Sequence, residues 1–91
     1  MNNWREISAA ARTAQQMMIA DITSGEEEFE RLLRYYPNDG MVYYQRGLGY
    51  EYHKEYEKAK SDLEKAEILF PKMEYQKLAR EALNRINRKK K

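Results

Sequence analysis

The amino-acid sequence predicts an all-α fold in which about five helices form helix–turn–helix repeats. The two prolines, Pro37 and Pro71, lie 34 residues apart, a spacing typical of helical repeats. Shifting the chain by this distance superimposes residues of similar size and polarity, for example Phe29 on Leu63. Apolar residues recur at the helical spacing i, i+3, i+4 and i+7, and no strand signal interrupts them. Short helices that cannot bury an apolar face alone must therefore stack on their neighbours.

Length and composition limit the chain to one small domain, residues 1–91, without disulfides. The chain has 91 residues, no cysteine and a single histidine, His53. These counts exclude a disulfide scaffold and a Cys-ligated zinc or redox motif, and they argue against an all-protein zinc site. Charged residues make up 35% of the chain and hydrophobic residues 42%. The apolar content and its periodicity indicate a folded domain rather than a disordered segment.

The first two helices are predicted over residues 4–20 and from Ser24 to the residue before Pro37. Ser24 is a favourable N-cap, and Glu27 three residues later would complete a capping box. The acidic cluster at residues 26–28 then marks a helix start. Proline disfavours helical geometry in the residue before it, so Pro37 ends the second helix. One apolar face is predicted for this helix: Phe29, Leu32, Leu33 and Tyr36.

The remaining three helices follow with short connections. Residues 38–40 form a turn in which Asp39 is the predicted N-cap of a helix over residues 41–53. A fourth helix runs from Tyr56 to the residue before Pro71. A fifth covers residues 73–87, with Leu78 on its apolar side. Five helices joined in this way predict an all-α domain.

The repeat resembles the tetratricopeptide repeat, a helix–turn–helix unit of 34 residues, and the resemblance implies a short right-handed α-solenoid. Residues 40–73 look like one well-formed repeat, 6–39 like a degenerate one, and 72–87 like the capping helix that closes such arrays, followed by a basic tail at 88–91. In the degenerate repeat, a shift of two residues in the first helix, with a loop before Ser24 two residues shorter than usual, directs Ala11, Ala14 and Met18 inward. Arg46 replaces a usual leucine, and Lys54 replaces a usual glycine. The matching positions are Tyr43, Gly47, Tyr50, Tyr56, Ala59, Leu63, Ala66 and Pro71.

The resemblance implies a protein–protein interaction module, an adaptor or chaperone-like subunit. Families of this kind bind a peptide or amphipathic helix in a concave groove formed by the first helix of each repeat. The corresponding groove here would be apolar and aromatic. Because Tyr44 and Leu48 occupy positions where chaperone-binding members carry Lys and Asn, capture of a carboxylate terminus is not expected. The predicted groove residues are Ala14, Met17, Tyr44, Leu48, Glu51, Tyr52, Tyr75 and Leu78.

Other functions stay open. Five helices are few for a repeat protein, so the chain could self-assemble into a homo-oligomer through its first or last helix, or be a fragment of a larger tetratricopeptide protein. Charge is uneven, with a net of −3 over residues 1–39 and +5 over residues 40–91. Binding of nucleic acid by the cations near the C-terminus, among them Arg80, Arg85 and residues 88–91, is not expected because no aromatic side chain accompanies them.

Residues that would indicate an enzyme, a metal site or a membrane segment are missing from the sequence. Gly47 and Gly49 lie inside a predicted helix and do not form a phosphate loop, and there is no Asp-rich calcium loop. His53 is predicted to be a solvated histidine at a helix end. No catalytic activity, cofactor or metal is therefore predicted. The longest apolar run, residues 17–20, is far too short to cross a bilayer, and the start does not resemble a signal peptide, so a cytoplasmic protein is expected.

Overall fold

Five α-helices account for nearly all of residues 4–89, the part of the chain that the computed structural model describes. No strand occurs within this range, so the prediction of an all-α fold with five helices is confirmed. The Cα atoms fill an envelope of 43 × 31 × 16 Å. The helices are α1 Trp4–Ala20, α2 Ile22–Tyr35, α3 Gly40–Tyr52, α4 Tyr56–Leu69 and α5 Met73–Lys89.

Helix α3 is the centre of the molecule, because it contacts all four other helices. Its most extensive packing is against α4 and α1, while α2 packs mainly on α1 and α5 mainly on α4. The core between them consists mostly of small and branched side chains together with Phe29 and Phe70. Ala11, Ala14 and Met18 are fully buried, which confirms the predicted inward stripe of α1.

The start of α2 differs from the prediction. Its N-cap is Asp21, not Ser24: Oδ1 of Asp21 accepts a hydrogen bond from the Thr23 backbone N–H at 3.1 Å. The Ser24 hydroxyl donates to Asp21 Oδ2 instead of capping the helix. A one-residue link between α1 and α2 confirms that this loop is short, and it moves the acidic residues 26–28 into the second turn of α2, away from the predicted helix start.

The turns around α3 follow the sequence closely. Asp39 is the N-cap, and its Oδ1 accepts from the Met41 N–H at 2.9 Å. At the other end Lys54 adopts the left-handed conformation with φ of 63°. Its N–H donates to the Glu51 carbonyl, and the Glu55 N–H donates to the Tyr50 carbonyl, both at 2.9 Å. These two bonds form a Schellman motif, so the turn keeps its geometry with lysine in place of glycine.

Arg46, which stands where leucine was expected, forms an ion pair with Asp62 of α4. Its Nε and Nη2 atoms donate to the two carboxylate oxygens at 2.7 and 2.8 Å. The guanidinium also lies over the rings of Tyr43 and Tyr50, 5.7 and 6.0 Å from their centroids. A polar connection therefore joins α3 to α4 at a position where the repeat pattern predicts an apolar one.

Candidate functional site

Two cavities, each of about 410 Å³, open on the face that α1, α3 and α5 share. Their volumes fall within the range usual for ligand sites. The residues that α3 contributes recur every three or four positions, from Met41 through Tyr44 and Leu48 to Tyr52, and so lie on one side of that helix. Both cavities therefore lie along a single surface, which we call the groove.

The aromatic cavity lies between the N-terminal halves of α1, α3 and α5. Its aromatic walls are Trp4, Tyr44 and Tyr75. Phe70 packs against the two tyrosines, so the four rings form a continuous series. Trp4 and Tyr75 have ring centroids 5.5 Å apart, Tyr75 and Phe70 5.6 Å, and Phe70 and Tyr44 6.0 Å. Burial raises the pKa of the Tyr44 phenol, so this hydroxyl stays neutral. The lining residues are Trp4, Arg5, Ser8, Ala9, Arg12, Met41, Tyr44, Gln45, Tyr75 and Leu78.

The basic cavity lies at the other end of the groove and contains one buried carboxylate, Glu51. Arg85 donates to both Glu51 oxygens at 2.8 Å, and Lys89 Nζ lies 3.4 Å from one of them. The hydrogen bonds from Arg85, opposed by burial, lower the pKa of Glu51. Glu51 therefore ties α5 to α3 as well as lining the groove. The lining residues are Gln15, Ile19, Leu48, Glu51, Tyr52, Lys54, Tyr56, Arg85 and Lys89.

Replacement of Glu51 with glutamine is expected to change the pH dependence of stability. Because the folded state lowers the pKa of Glu51, its contribution is complete above about pH 4.3, the unperturbed value, and is lost as the pH falls through the lower folded-state pKa. At pH 7 the Glu51→Gln variant should lose about 1–2 kcal/mol of unfolding free energy, and the difference from wild type should shrink progressively as the pH falls below that unperturbed value. Urea unfolding at a series of pH values measures this.

The matched control is Glu67→Gln, which removes the carboxylate partner of the exposed Arg80. Exposed ion pairs contribute little, so this variant should follow the wild-type curve at every pH. A constant difference between Glu51→Gln and wild type down to pH 3 would contradict the role assigned to the Glu51 carboxylate.

Six of the eight predicted groove residues line the two cavities. Tyr44, Tyr75 and Leu78 belong to the aromatic cavity, and the rest belong to the basic cavity: Leu48, Glu51 and Tyr52. The two predicted from α1 do not line them. Ala14 is fully buried and cannot reach a partner while α1 stays packed, so its assignment to the groove is wrong. Met17 is exposed but lines neither cavity.

Helix α1 instead presents the residues one position after its buried stripe. Ser8, Arg12, Gln15 and Ile19 line the cavities, at spacings of four, three and four. These positions could have been predicted from the buried stripe of α1. If Ala11 and Met18 lie in the core, the next residues along the chain, Arg12 and Ile19, lie at one edge of the buried face. The predicted groove lacks several residues that line the aromatic cavity. Ser8, Arg12 and Gln45 are polar and so do not belong to an apolar pattern, and Trp4 is the first residue of α1.

The structure bears on two further sequence expectations, those for His53 and for the basic tail. His53 is half-buried, not solvated: its Nε2 lies 2.5 Å from the Met18 carbonyl oxygen, to which it must donate, so this nitrogen is not available as a base. Arg88 and Lys89 are the last residues of α5, so the predicted basic tail begins inside the helix, and residues 90–91 lie outside the described part of the chain.

The arrangement of the groove is suited to non-covalent binding. Its polar groups are hydrogen-bond donors, acceptors and cations surrounding apolar rings. Nowhere in residues 4–89 do three or more His, Cys, Asp or Glu side chains gather as a metal site would need. None of the helices in this range combines the length and the hydropathy that crossing a bilayer requires.

No protein-family model, curated protein or solved structure matches this chain.

Proposed function

We propose that the protein is a protein–protein interaction module of the tetratricopeptide type, a short right-handed α-solenoid. It would bind a peptide or an amphipathic helix in the groove. The observation that carries this proposal is the alignment of two cavities of about 410 Å³ along one side of α3. An extended or helical segment lying along α3 would cross both cavities and could place one side chain in each.

Binding in this groove would be driven by burial of apolar surface at a few rigid anchors. Tyrosine and tryptophan provide a large contact area at a small cost in conformational entropy. Trp4 and Leu78 are each more than one-third exposed, so a partner could cover them without rearrangement of the core. The cations at the rim would orient the partner and accelerate its association.

The proposal is tested by a matched pair of substitutions, Leu78→Glu in the groove and Ile68→Glu on α4. Both side chains are apolar and exposed, both changes add one negative charge, and only Leu78 lines a groove cavity. Peptides selected from a random displayed library on the wild-type protein should bind Leu78→Glu at least tenfold more weakly, because the new carboxylate interrupts the apolar surface. They should bind Ile68→Glu with unchanged affinity.

Titration calorimetry with the selected peptides measures the affinities, and far-UV circular dichroism establishes that both variants are folded. Equal affinity for Leu78→Glu and wild type would place binding elsewhere and overturn the groove assignment. A library that yields no binder of any sequence would argue against an interaction module of this kind.

A further inference from the structure

The aromatic cavity contains a buried hydroxyl group without a partner. Ser8 is 7% exposed and lines this cavity. Among the described residues, its Oγ is the single buried side-chain nitrogen or oxygen that makes no hydrogen bond. Leaving a buried polar group unsatisfied destabilises the folded state. Such a group beside a cavity can be satisfied by a hydrogen-bonding atom that enters the cavity.

A second buried polar side chain, Gln45, lines the same cavity. The contact recorded for its amide nitrogen is with Sδ of Met41 at 3.5 Å, and a thioether is a weak acceptor. The cavity thus combines polar groups, Ser8 and Gln45, with aromatic walls from Trp4, Tyr44 and Tyr75. A matching side chain needs an aromatic body and a polar tip.

The charges along the groove indicate which residues should flank that side chain in the partner. Five cations and one anion line the two cavities, and the anion, Glu51, already binds Arg85 and Lys89. Within residues 4–89, no ion pair engages Arg5, Arg12 or Lys54. Glu81 of α5 acts electrostatically on Tyr44 and Arg85 and partly offsets this charge. The cations of the groove still outnumber the carboxylates, so an acidic segment is favoured over a neutral or basic one.

We propose, building on the proposed function, that the partner is an acidic protein segment that inserts a tyrosine side chain into the aromatic cavity. The tyrosine ring lies against Tyr44 and Tyr75, and its phenolic hydroxyl hydrogen-bonds Ser8. Phenylalanine would fill the same volume but leave Ser8 unsatisfied. A glutamate could pair with Arg5 or Arg12, which line the same cavity, but it has no ring to pack against the aromatic walls. A lysine would be repelled by the two arginines.

Synthetic peptides test this inference. One set has the same acidic flanks, with four aspartates or glutamates, and differs only in a central Tyr, Phe or Ala; a second set carries the central Tyr between lysines. On the wild-type protein the acidic Tyr peptide should bind about fivefold to tenfold more tightly than the Phe peptide, which corresponds to one hydrogen bond. The Ala peptide should be weaker still, and the basic Tyr peptide weakest. Fluorescence of Trp4, the single tryptophan, reports occupancy of this cavity directly.

Two protein variants test which residues cause the preference for tyrosine and for acidic flanks. In Ser8→Ala the Tyr and Phe peptides should bind equally well, with the affinity for the Phe peptide unchanged. Arg12→Glu should weaken every acidic peptide and reduce the dependence of binding on salt. Arg34→Glu makes the same change of charge at an exposed position on α2 and should leave peptide binding unchanged.

The inference is overturned if the Phe peptide binds wild type as tightly as the Tyr peptide, which would mean that water satisfies Ser8. It is also overturned if acidic and basic peptides bind equally. These failures leave the proposed function intact as long as library-selected peptides of other sequence still lose affinity on Leu78→Glu. Failure of every peptide, selected or designed, removes both.

Discussion

Replacement of Gly25 with alanine is expected to destabilise the fold by about 2–3 kcal/mol, although alanine is the better helix former. Gly25 lies in the first turns of α2, where that helix contacts α1 at Met18. A methyl group at this position would overlap the Cβ and Cα of Met18 and lie 2.7 Å from its backbone nitrogen. Backbone atoms cannot move aside as the end of a side chain can. Because a single residue, Asp21, connects the two helices, α2 cannot shift along α1 at this point. The two helices must separate, at a cost that exceeds the gain of about 1 kcal/mol in helix propensity.

Gly49→Ala is the matched control. It also lies in a helix and also faces Met18, but the nearest atoms are Sδ at 2.5 Å and Cγ at 3.1 Å in a flexible side chain. A methionine can adopt another rotamer, so this variant should differ from wild type by less than about 1 kcal/mol. Thermal unfolding measures both, with a drop of roughly 10–20 °C expected for Gly25→Ala. A Gly25→Ala protein as stable as wild type would mean that α1 and α2 are not tightly packed at this point.

The helices and the inward face of α1 were predictable from the sequence because each depends on local signals. Proline and Asp39 determine helix ends through backbone geometry and capping, and apolar period determines the buried face. The start of α2 was not, because Ser24 followed by Glu27 fits a capping box whereas the helix begins three residues earlier, after the N-cap Asp21. In the first turns of α2, Gly25 packs closely against Met18 of α1, a tertiary contact that local capping signals do not contain.

The groove was predictable mainly where α3 and α5 line it, including the charged Glu51, and not where α1 lines it. Tyr44, Leu48 and Leu78 belong to a periodic pattern that the repeat register reveals. Ser8 and Gln45 carry no such signal, since a polar residue on a helix is normally exposed. Their significance arises only when the packing of α1 against α3 buries them beside a cavity.

Replacement of Asp62 with alanine is expected to cost about 2–4 kcal/mol of unfolding free energy. The Asp62 side chain is 7% exposed and that of Arg46 21% exposed, so the pair is largely shielded from water. Burial disfavours the Arg46 charge, but hydrogen bonding and attraction to Asp62 outweigh it and raise the pKa of Arg46. Removing the carboxylate leaves a guanidinium that is unpaired and only partly solvated, and the penalty comes mainly from that unpaired charge.

The double variant Arg46→Leu/Asp62→Ala separates this explanation from a simple loss of packing. Leucine removes the charge at position 46, and its side chain can pack between Tyr43 and Tyr50, whose rings the guanidinium now covers. Because no unpaired charge remains, the double variant should be more stable than Asp62→Ala alone. The effects of the two substitutions on the unfolding free energy should be non-additive by roughly 2 kcal/mol. Urea unfolding of the four proteins in the cycle measures the coupling. Additive losses would show that Arg46 and Asp62 stabilise the contact between α3 and α4 independently, by packing, rather than as an ion pair.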